Sequence, residues 1–304
     1  MKNSGSNTIC ANVSQKKTNR IKRPKRLKRN SPIDYILTIL IGLFVLAPFY
    51  ILLITSVTSK MEANYAEFHW WPEQGITFKA YYDVLFVKTG DATVLGGLWT
   101  TILLYVPSVT VGIFASAMAA YAFAKMKFRL SHFMFSVLMF TLMFPNVMNM
   151  IAMFMIYDNI GWVNTPLPIM IPRMLGSVSS MFFFRQYFMS LPDTMMQAAK
   201  VDGAGHFQIF CKIALPVARP VLLAHWILNF MGGYNDYMDP LIYLQDARMY
   251  TLQLALAFFV DPYVQNWPLR MAGVVVSLVP MLAIYAVAQK YMTQGMAITS
   301  GIKE

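Results

Sequence analysis

Six long apolar runs constrain this chain more than any other feature of its sequence. They cover roughly residues 33–57, 97–124, 132–157, 167–189, 215–234 and 271–291. A helix needs about 20 apolar residues to cross the hydrocarbon core of a bilayer, and each run meets that requirement. The composition agrees, because 57% of the residues are hydrophobic and only 13% are charged, against about 25% charged in a typical soluble domain. We predict an all-α, polytopic membrane protein with six transmembrane helices.

The net charge of +11 belongs almost entirely to the N-terminal tail. Residues 1–29 contain ten Lys or Arg and no Asp or Glu, and the rest of the chain has fifteen basic against fourteen acidic residues. Anionic headgroups on the cytoplasmic side attract a basic segment that directly precedes an apolar run. Because the tail has no interleaved aromatic residues, we expect no nucleic-acid binding. The sequence predicts a basic cytoplasmic tail over residues 1–31 and a membrane domain over residues 32–304.

Positive charge also distinguishes the two sides of the membrane. The short loop after the second run reads AKMKFR and carries three basic residues, whereas acidic residues outnumber basic ones in the long loops at about 60–96 and 235–270. Loops rich in Lys and Arg stay in the cytoplasm. We therefore expect both termini, the short loop and the segment at about 190–216 to be cytoplasmic, with the two long loops outside.

The span centres contain no Asp or Glu, and the four histidines are scattered without metal-ligand spacing. No nucleotide-binding or hydrolase motif is present. We therefore predict no catalytic residue, no metal site and no cofactor in this chain. An ion-gradient-coupled secondary transporter is one possible function of such a membrane protein. Carriers of this kind, however, usually place carboxylates in mid-span. Energy for moving a solute would have to come from another subunit.

The cytoplasmic segment between the fourth and fifth runs predicts a short helix over LPDTMMQAAKV that is broken at Gly203. Pro192 suits a first helical turn, and Asp193 complements the helix dipole there. A second short helix follows at about 205–213, and Leu215-Pro216 opens the fifth span.

One face of the first short helix has two small residues at its centre. The face consists, at helical spacing, of Met195, Ala198, Ala199 and Asp202. Such a smooth face can lie deeply in a cleft of another protein. The alternative is an amphipathic loop that lies on the lipid headgroups.

The stretch QAAKVDGAGHFQIFCKIALPVARP (197–220) resembles the cytoplasmic E-A-A-x-x-D-G-A…F…I…L-P…P signature of permease subunits of ATP-binding-cassette importers, and especially of their maltose-type, sugar-importing branch. The resemblance runs from about residue 40 to the end, apart from most of the first outer loop. Four further segments resemble the same branch: APFYILLITSVTSKMEA (47–63), AYAFAKMKFR (120–129), FMGGYNDYMDPLIYLQDARMYTLQLAL (230–256) and GMAITSGIKE (295–304).

The resemblance implies that the chain forms half of the pore of a carbohydrate importer in the inner membrane, among membrane lipids. It implies as partners a second homologous permease subunit, two ATP-binding subunits that hold ATP and Mg, and an extracytoplasmic solute-binding protein. The short helix would then be a coupling helix that docks on an ATP-binding subunit. The motif match assigns partner coupling to Gln197, Ala198, Ala199, Asp202, Gly203, Ala204 and Pro216.

Two positions depart from the pattern of this branch. The leading Glu of the motif is Gln197, which accepts a hydrogen bond but provides no charge-assisted anchor to the partner. Tyr234 stands where the branch commonly has Trp, directly before Asn235.

Arg173 is the one formal charge placed well inside the outer half of a predicted span. An Arg there costs about 2.5–3.5 kcal/mol on insertion scales, so it should face a watery cavity or a polar partner. We predict that two polar stripes line the pore and that Arg173 favours an anionic or richly hydroxylated sugar. The alternative is that Arg173 reaches the outer interface or pairs with the other permease. The pore candidates are Arg173, Ser177 and Ser180 in the fourth span, and His225, Asn229 and Asn235 in the fifth.

Overall fold

The computed structural model describes residues 32–64, 70–87, 92–259 and 265–301, whose regular structure is helical. The predicted basic tail lies outside these residues. The chain divides into two compact units, Met1–Pro48 and Phe49–Glu304. Within the described ranges, four helical segments are long and apolar enough to cross a membrane, and a bent helix pair makes a fifth. This number confirms a membrane protein built from several apolar helices.

The first two predicted spans are each a single helix. Helix α1 covers Pro32–Val57 and α4 covers Val94–Lys125. Between them lie α2 (Lys60–Ala63) and α3 (Lys79–Phe86). The buried carboxylate of Glu62 accepts hydrogen bonds from the Glu73 amide at 2.6 Å and the Gln74 amide at 3.3 Å, which attaches these two residues to α2.

The third and fourth predicted spans are both interrupted. The third consists of α5 (Ser131–Thr141) and α6 (Asn146–Asn159), so the run at 132–157 is not one continuous helix. The break precedes Pro145, a residue that disfavours the helical conformation before it. The fourth consists of α7 (Leu167–Met174) and α8 (Val178–Ser190), which together are long enough to cross a membrane.

The segment between the fourth and fifth apolar runs contains the two predicted short helices. Helix α9 covers Asp193–Val201, and Gly203 follows it at φ 81°. Helix α10 (His206–Ile209) continues through a π-helical turn (Phe210–Ala214) into α11 (Leu215–Val217). Helix α12 (Arg219–Tyr234) then starts after a bend of 78°. The predicted start of the fifth span, Leu215-Pro216, lies in α11, one helical turn before this bend.

The C-terminal part begins with α13 (Met238–Tyr243) and a 3₁₀ turn (Ala247–Met249). Helix α14 covers Leu252–Phe259, and α15 covers Trp267–Gly301. Helix α15 includes the whole of the predicted sixth span.

Helix α4 is the central element of the fold, since it contacts α7, α8, α12 and α14. Its two halves belong to two separate core clusters. Large buried residues of the first cluster are Tyr121, Phe184, Phe188 and Phe210, and those of the second are Tyr105, Ile169, Tyr234, Leu252 and Leu254. Helix α4 therefore contributes to both core clusters and packs against most of the helices that surround it.

Candidate functional site

Helix α4 crosses the break between α7 and α8 at very close range. A side chain at Gly112 would overlap the Arg173 carbonyl, and a Cβ on Gly176 would lie 2.7 Å from Ser116 Oγ. Gly176 has φ 96°, a conformation that glycine adopts without the steric cost of a Cβ. The Ser116 hydroxyl accepts a hydrogen bond from the Ser177 amide at 2.8 Å. Helix α4 therefore supplies the hydrogen-bond acceptor for the Ser177 amide, which the break between α7 and α8 leaves outside both helices.

A cavity of about 460 Å³ lies beside this crossing, between α4, α7, α8, α12 and α13. Its volume is within the range of small-ligand pockets. The structure brings four of the six predicted pore candidates together on its wall, namely Arg173, Ser177, Ser180 and Asn229. The three from the fourth span do not form one continuous helical stripe, however, because α7 ends at Met174 and Ser177 is the N-cap of α8.

Arg173 is held by a network within its own chain. Its Nη2 donates to Asp236 Oδ2 at 2.6 Å and to Asp239 Oδ2 at 3.1 Å. The guanidinium carbon lies 4.8 Å from the centroid of the Tyr105 ring, a favourable cation–π distance. The Tyr105 hydroxyl also donates to Asp236 Oδ2, at 3.2 Å.

The sequence reasoning missed Asp236, Asp239 and Tyr105 as members of this site. A signal was available, because an intramembrane Arg requires a counter-charge. The carboxylates nearest to the end of the fifth span are those of the NDYMD stretch at 235–239.

Asn229 joins the two predicted polar stripes. Its side-chain amide donates to Ser180 Oγ at 3.2 Å, across from α12 to α8, and to the His225 carbonyl at 2.8 Å. The other two pore candidates lie elsewhere. The His225 ring packs 4.9 Å from the Phe183 ring and 5.0 Å from the Phe184 ring, and Asn235 donates to the Met231 carbonyl at 2.9 Å.

Helix α9 buries one face in the core and exposes the other. Met196 and Ala199 are buried in the first core cluster, while Ala198 is exposed and Val201 is 88% exposed. The predicted smooth face is therefore divided, because Ala199 points into the protein. The exposed face is centred on Thr194, Ala198 and Val201, at positions i, i+4 and i+7.

The other predicted coupling residues lie around the end of α9. Gln197 and Asp202 are exposed, and Gly203 stands in the left-handed conformation that terminates many helices. The half-buried Ala204 donates its amide to the Ala199 carbonyl at 2.9 Å. Pro216 is half-buried in α11, close to the bend that precedes α12.

Lys125 attaches the C-terminal end of α4 to the start of α9. Its Nζ donates to the Leu191 carbonyl at 2.7 Å and to Asp193 Oδ1 at 2.6 Å. The hydrogen bond and charge of Lys125 lower the pKa of the exposed Asp193 carboxyl. Beside this contact lies a second cavity of about 540 Å³, whose lining includes Lys125, Lys127, Lys200 and His206.

In the part of the chain that the structure describes, no three His, Cys, Asp or Glu side chains converge in an arrangement that could hold a metal ion.

Comparison with known proteins identifies the family to which a chain with these features belongs. Residues 108–298 match the family described as binding-protein-dependent transport system inner membrane component. The chain is 33% identical to a probable ABC transporter permease protein of Pyrococcus horikoshii over 261 residues, which cover 84% of this chain and 92% of the relative. It is 32% identical to the arabinooligosaccharides transport system permease protein AraQ of Halalkalibacterium halodurans over 206 residues, which cover 68% and 72% of the two chains.

A solved structure shares the fold. It is that of a bacterial ABC transporter involved in the import of the acidic polysaccharide alginate, with a TM-score of 0.72, 24% sequence identity and coverage of 88% of this chain and 99% of that chain. The family match includes α9, the bent segment and most of the residues around the first cavity. This chain therefore belongs to the family of binding-protein-dependent transport system inner membrane components, the permeases of ABC transporters.

Proposed function

We propose that the chain is the permease subunit of an ATP-driven importer of sugars or oligosaccharides and forms half of its translocation pore. It crosses the inner membrane six times, through α1, α4, α5 with α6, α7 with α8, α12 and α15. Both termini are cytoplasmic, which agrees with the positive-inside rule. The family match and the names of the sugar-transporting relatives support this function. Membership of this family disfavours the ion-gradient-coupled carrier.

The partners follow from the same proposal. A second homologous permease completes the pore, and two ATP-binding subunits bind ATP with Mg and hydrolyse it. An extracytoplasmic solute-binding protein delivers the sugar to the outer side. The present chain has no catalytic role, so nucleotide-driven closure must reach its spans mechanically and switch the pore between inward and outward access.

The proposal rests on one observation about α9: one face of this helix is buried in the core, and the opposite face is exposed. Its inner face is fixed by Met196 and Ala199, and its start is attached to α4 through Lys125 and Asp193. Its outer face presents Ala198 and the 88% exposed Val201, where a partner could dock. A displacement of α9 by that partner would therefore be transmitted to α4, the central helix of the fold.

A test uses the complex of this chain with its partner subunits, reconstituted in vesicles. Ala198→Trp should prevent assembly or uncouple ATP hydrolysis from uptake, because the large ring separates the docked surfaces. Ala198→Ser is the matched control, since it keeps the residue small and should preserve coupling. Normal assembly and normal uptake with Ala198→Trp would exclude α9 as the docking helix.

A further inference from the structure

The first cavity contains more negative than positive charge. Arg173 and Asp239 line it, and Asp236 lies directly behind them at 2.6 Å from the same guanidinium nitrogen. Tyr105 binds Asp236 through a neutral hydroxyl. The remaining lining residues are uncharged, with Ser116, Ser177, Ser180 and Asn229 as the polar ones. One guanidinium between two carboxylates leaves one negative charge in excess.

The two carboxylates differ in their access to the cavity. The Asp236 side chain is 14% exposed and that of Asp239 is 48% exposed. Arg173 holds the Oδ2 atom of each. Asp239 therefore presents a carboxylate oxygen to a solute in the cavity, while the charge of Arg173 is already neutralised by two close anions.

We infer that Asp239 is a specificity-determining residue, which makes the cavity accept uncharged polyhydroxylated solutes and exclude anionic ones. The inference rests on the proposed pore function. A carboxylate accepts strong hydrogen bonds from sugar hydroxyls. A negative group at the wall of a narrow, low-dielectric cleft repels an anion more strongly than it would in open water. Of the two substrate types considered for Arg173, the geometry supports the richly hydroxylated one.

The sign of the electrostatic potential in the first cavity can be measured without knowing which sugar is transported. In the assembled complex, with Cys10 and Cys211 replaced by Ser, Ser177→Cys places a thiol on the cavity wall. The probes are cationic (trimethylammonium)ethyl methanethiosulfonate and anionic sulfonatoethyl methanethiosulfonate. The rate at which each reagent modifies the introduced thiol is divided by its rate with free cysteine. The ratio of the normalised cationic rate to the normalised anionic rate then reports the local charge.

We expect the cationic reagent to be favoured about tenfold in the Ser177→Cys variant. Asp239→Asn should bring the ratio close to one, because it leaves one guanidinium against one carboxylate. Asp246→Asn is the matched control, since it removes a carboxylate that pairs with Arg248 rather than with Arg173, and it should leave the ratio unchanged. Asn229→Cys provides a second probe position on the same wall if Ser177→Cys lowers the yield of the complex.

The ways in which the inference can fail are distinguishable. A ratio that favours the anionic reagent, or that does not respond to Asp239→Asn, overturns the role of Asp239 but leaves the pore intact. If neither reagent reaches either introduced thiol in any nucleotide state, the cavity is closed to water. Both this inference and the assignment of the cavity to the pore then fail.

Discussion

Arg173 on α7 donates to Asp236, just beyond the end of α12, with only 2.6 Å between Nη2 and Oδ2. The two residues are 63 positions apart in the chain, and the pair lies against α4 through Tyr105. The side chains are 29% and 14% exposed, so water screens the pair only partly. The charge of Arg173, which lies in one of the apolar helical segments, is thereby paired within its own chain.

Removing one member of this pair should destabilise the protein strongly. Arg173→Met leaves Asp236 and Asp239 facing each other without a counter-charge, which we expect to cost about 3 kcal/mol. The thermal unfolding of the purified complex in detergent measures the effect. Adding Asp236→Asn to Arg173→Met should restore part of the loss, because only one carboxylate then remains.

The control for this prediction is Arg248→Met. Arg248 pairs with Asp246 at 2.8 Å but its side chain is 73% exposed, so its loss should cost less than about 1 kcal/mol. Equal effects of Arg173→Met and Arg248→Met would contradict a structural role for the inner pair.

The sequence predicted the apolar helices well because hydropathy depends on local composition alone. It predicted less about their interruptions. The break at 175–177 depends on Ser116, which lies 61 residues before Ser177 and binds its amide. No local pattern contains that contact. Similarly, the sequence required a polar environment for Arg173, but only the fold determines that its partners are Asp236 and Asp239.

The exposed face of α9 also depends on contacts with residues distant in the chain, which local sequence does not reveal. The small residues Ala198 and Ala199 suggested one smooth outer face, yet Ala199 is buried. Its burial is determined by the core cluster that includes Tyr121 and Phe210 of other elements. The end of α9 before Gly203, by contrast, followed from a local signal and was predicted correctly, while its start at Asp193 lies two residues after the predicted one, because Pro192 is the N-cap.

Gly176→Ala should destabilise the break between α7 and α8. The φ of 96° strains any residue with a Cβ, and the new methyl group would lie 2.7 Å from Ser116 Oγ. We expect a loss of at least about 1 kcal/mol in the thermal stability of the complex. Gly232→Ala is the control, because that exposed helical site has free space around it and should be neutral or slightly stabilising.

The same substitution should change access to the cavity. If Gly176→Ala forces α4 away from the break, the reaction of Ser177→Cys with thiol reagents should change in rate, whereas Gly232→Ala should leave it unaltered. An unchanged melting temperature and an unchanged rate with Gly176→Ala would show that the close crossing is not required.

The contact between Lys125 and Asp193 should be independent of pH over the physiological range. Lys125 lowers the pKa of Asp193, so the stabilisation is present above the ordinary Asp pKa of about 3.9 and is lost only as the pH falls through the lower folded-state value. The hydrogen-exchange protection of the α9 amides measures the stabilisation that this contact provides. Asp193→Asn should reduce protection modestly, by the same factor from about pH 5.5 to about pH 8.

Asp202→Asn serves as the control for this measurement, since it removes an exposed carboxylate at the other end of α9. It should leave the protection of the first turn unchanged. A protection difference between the original chain and Asp193→Asn that shrinks steadily from about pH 8 to about pH 5.5 would contradict a lowered pKa.

The charge preference of the first cavity should, by contrast, depend on pH. Asp239 lies in α13, beyond the end of α12. Burial raises the pKa of Asp239, the nearby charge of Asp236 raises it further, and Arg173 opposes both effects. Tyr105 on α4, Tyr157 on α6 and Tyr243 on α13 also face this group, but tyrosines do not ionise near neutrality.

A raised pKa means that Asp239 takes up a proton at a higher pH than an ordinary carboxyl does. The cationic preference at Ser177→Cys should therefore be largest near neutral and higher pH, and it should be lost on acidification at a higher pH than the ordinary Asp pKa of about 3.9, as the excess negative charge disappears. Taking the ratio of the two reagents at each pH cancels the ionisation of the thiol itself. Asp239→Asn should give a ratio near one that does not vary with pH. A preference that persists unchanged below the ordinary Asp pKa of about 3.9 would mean that another group supplies the negative field, because Asp239, the carboxylate that lines the cavity and has the raised pKa, is protonated there.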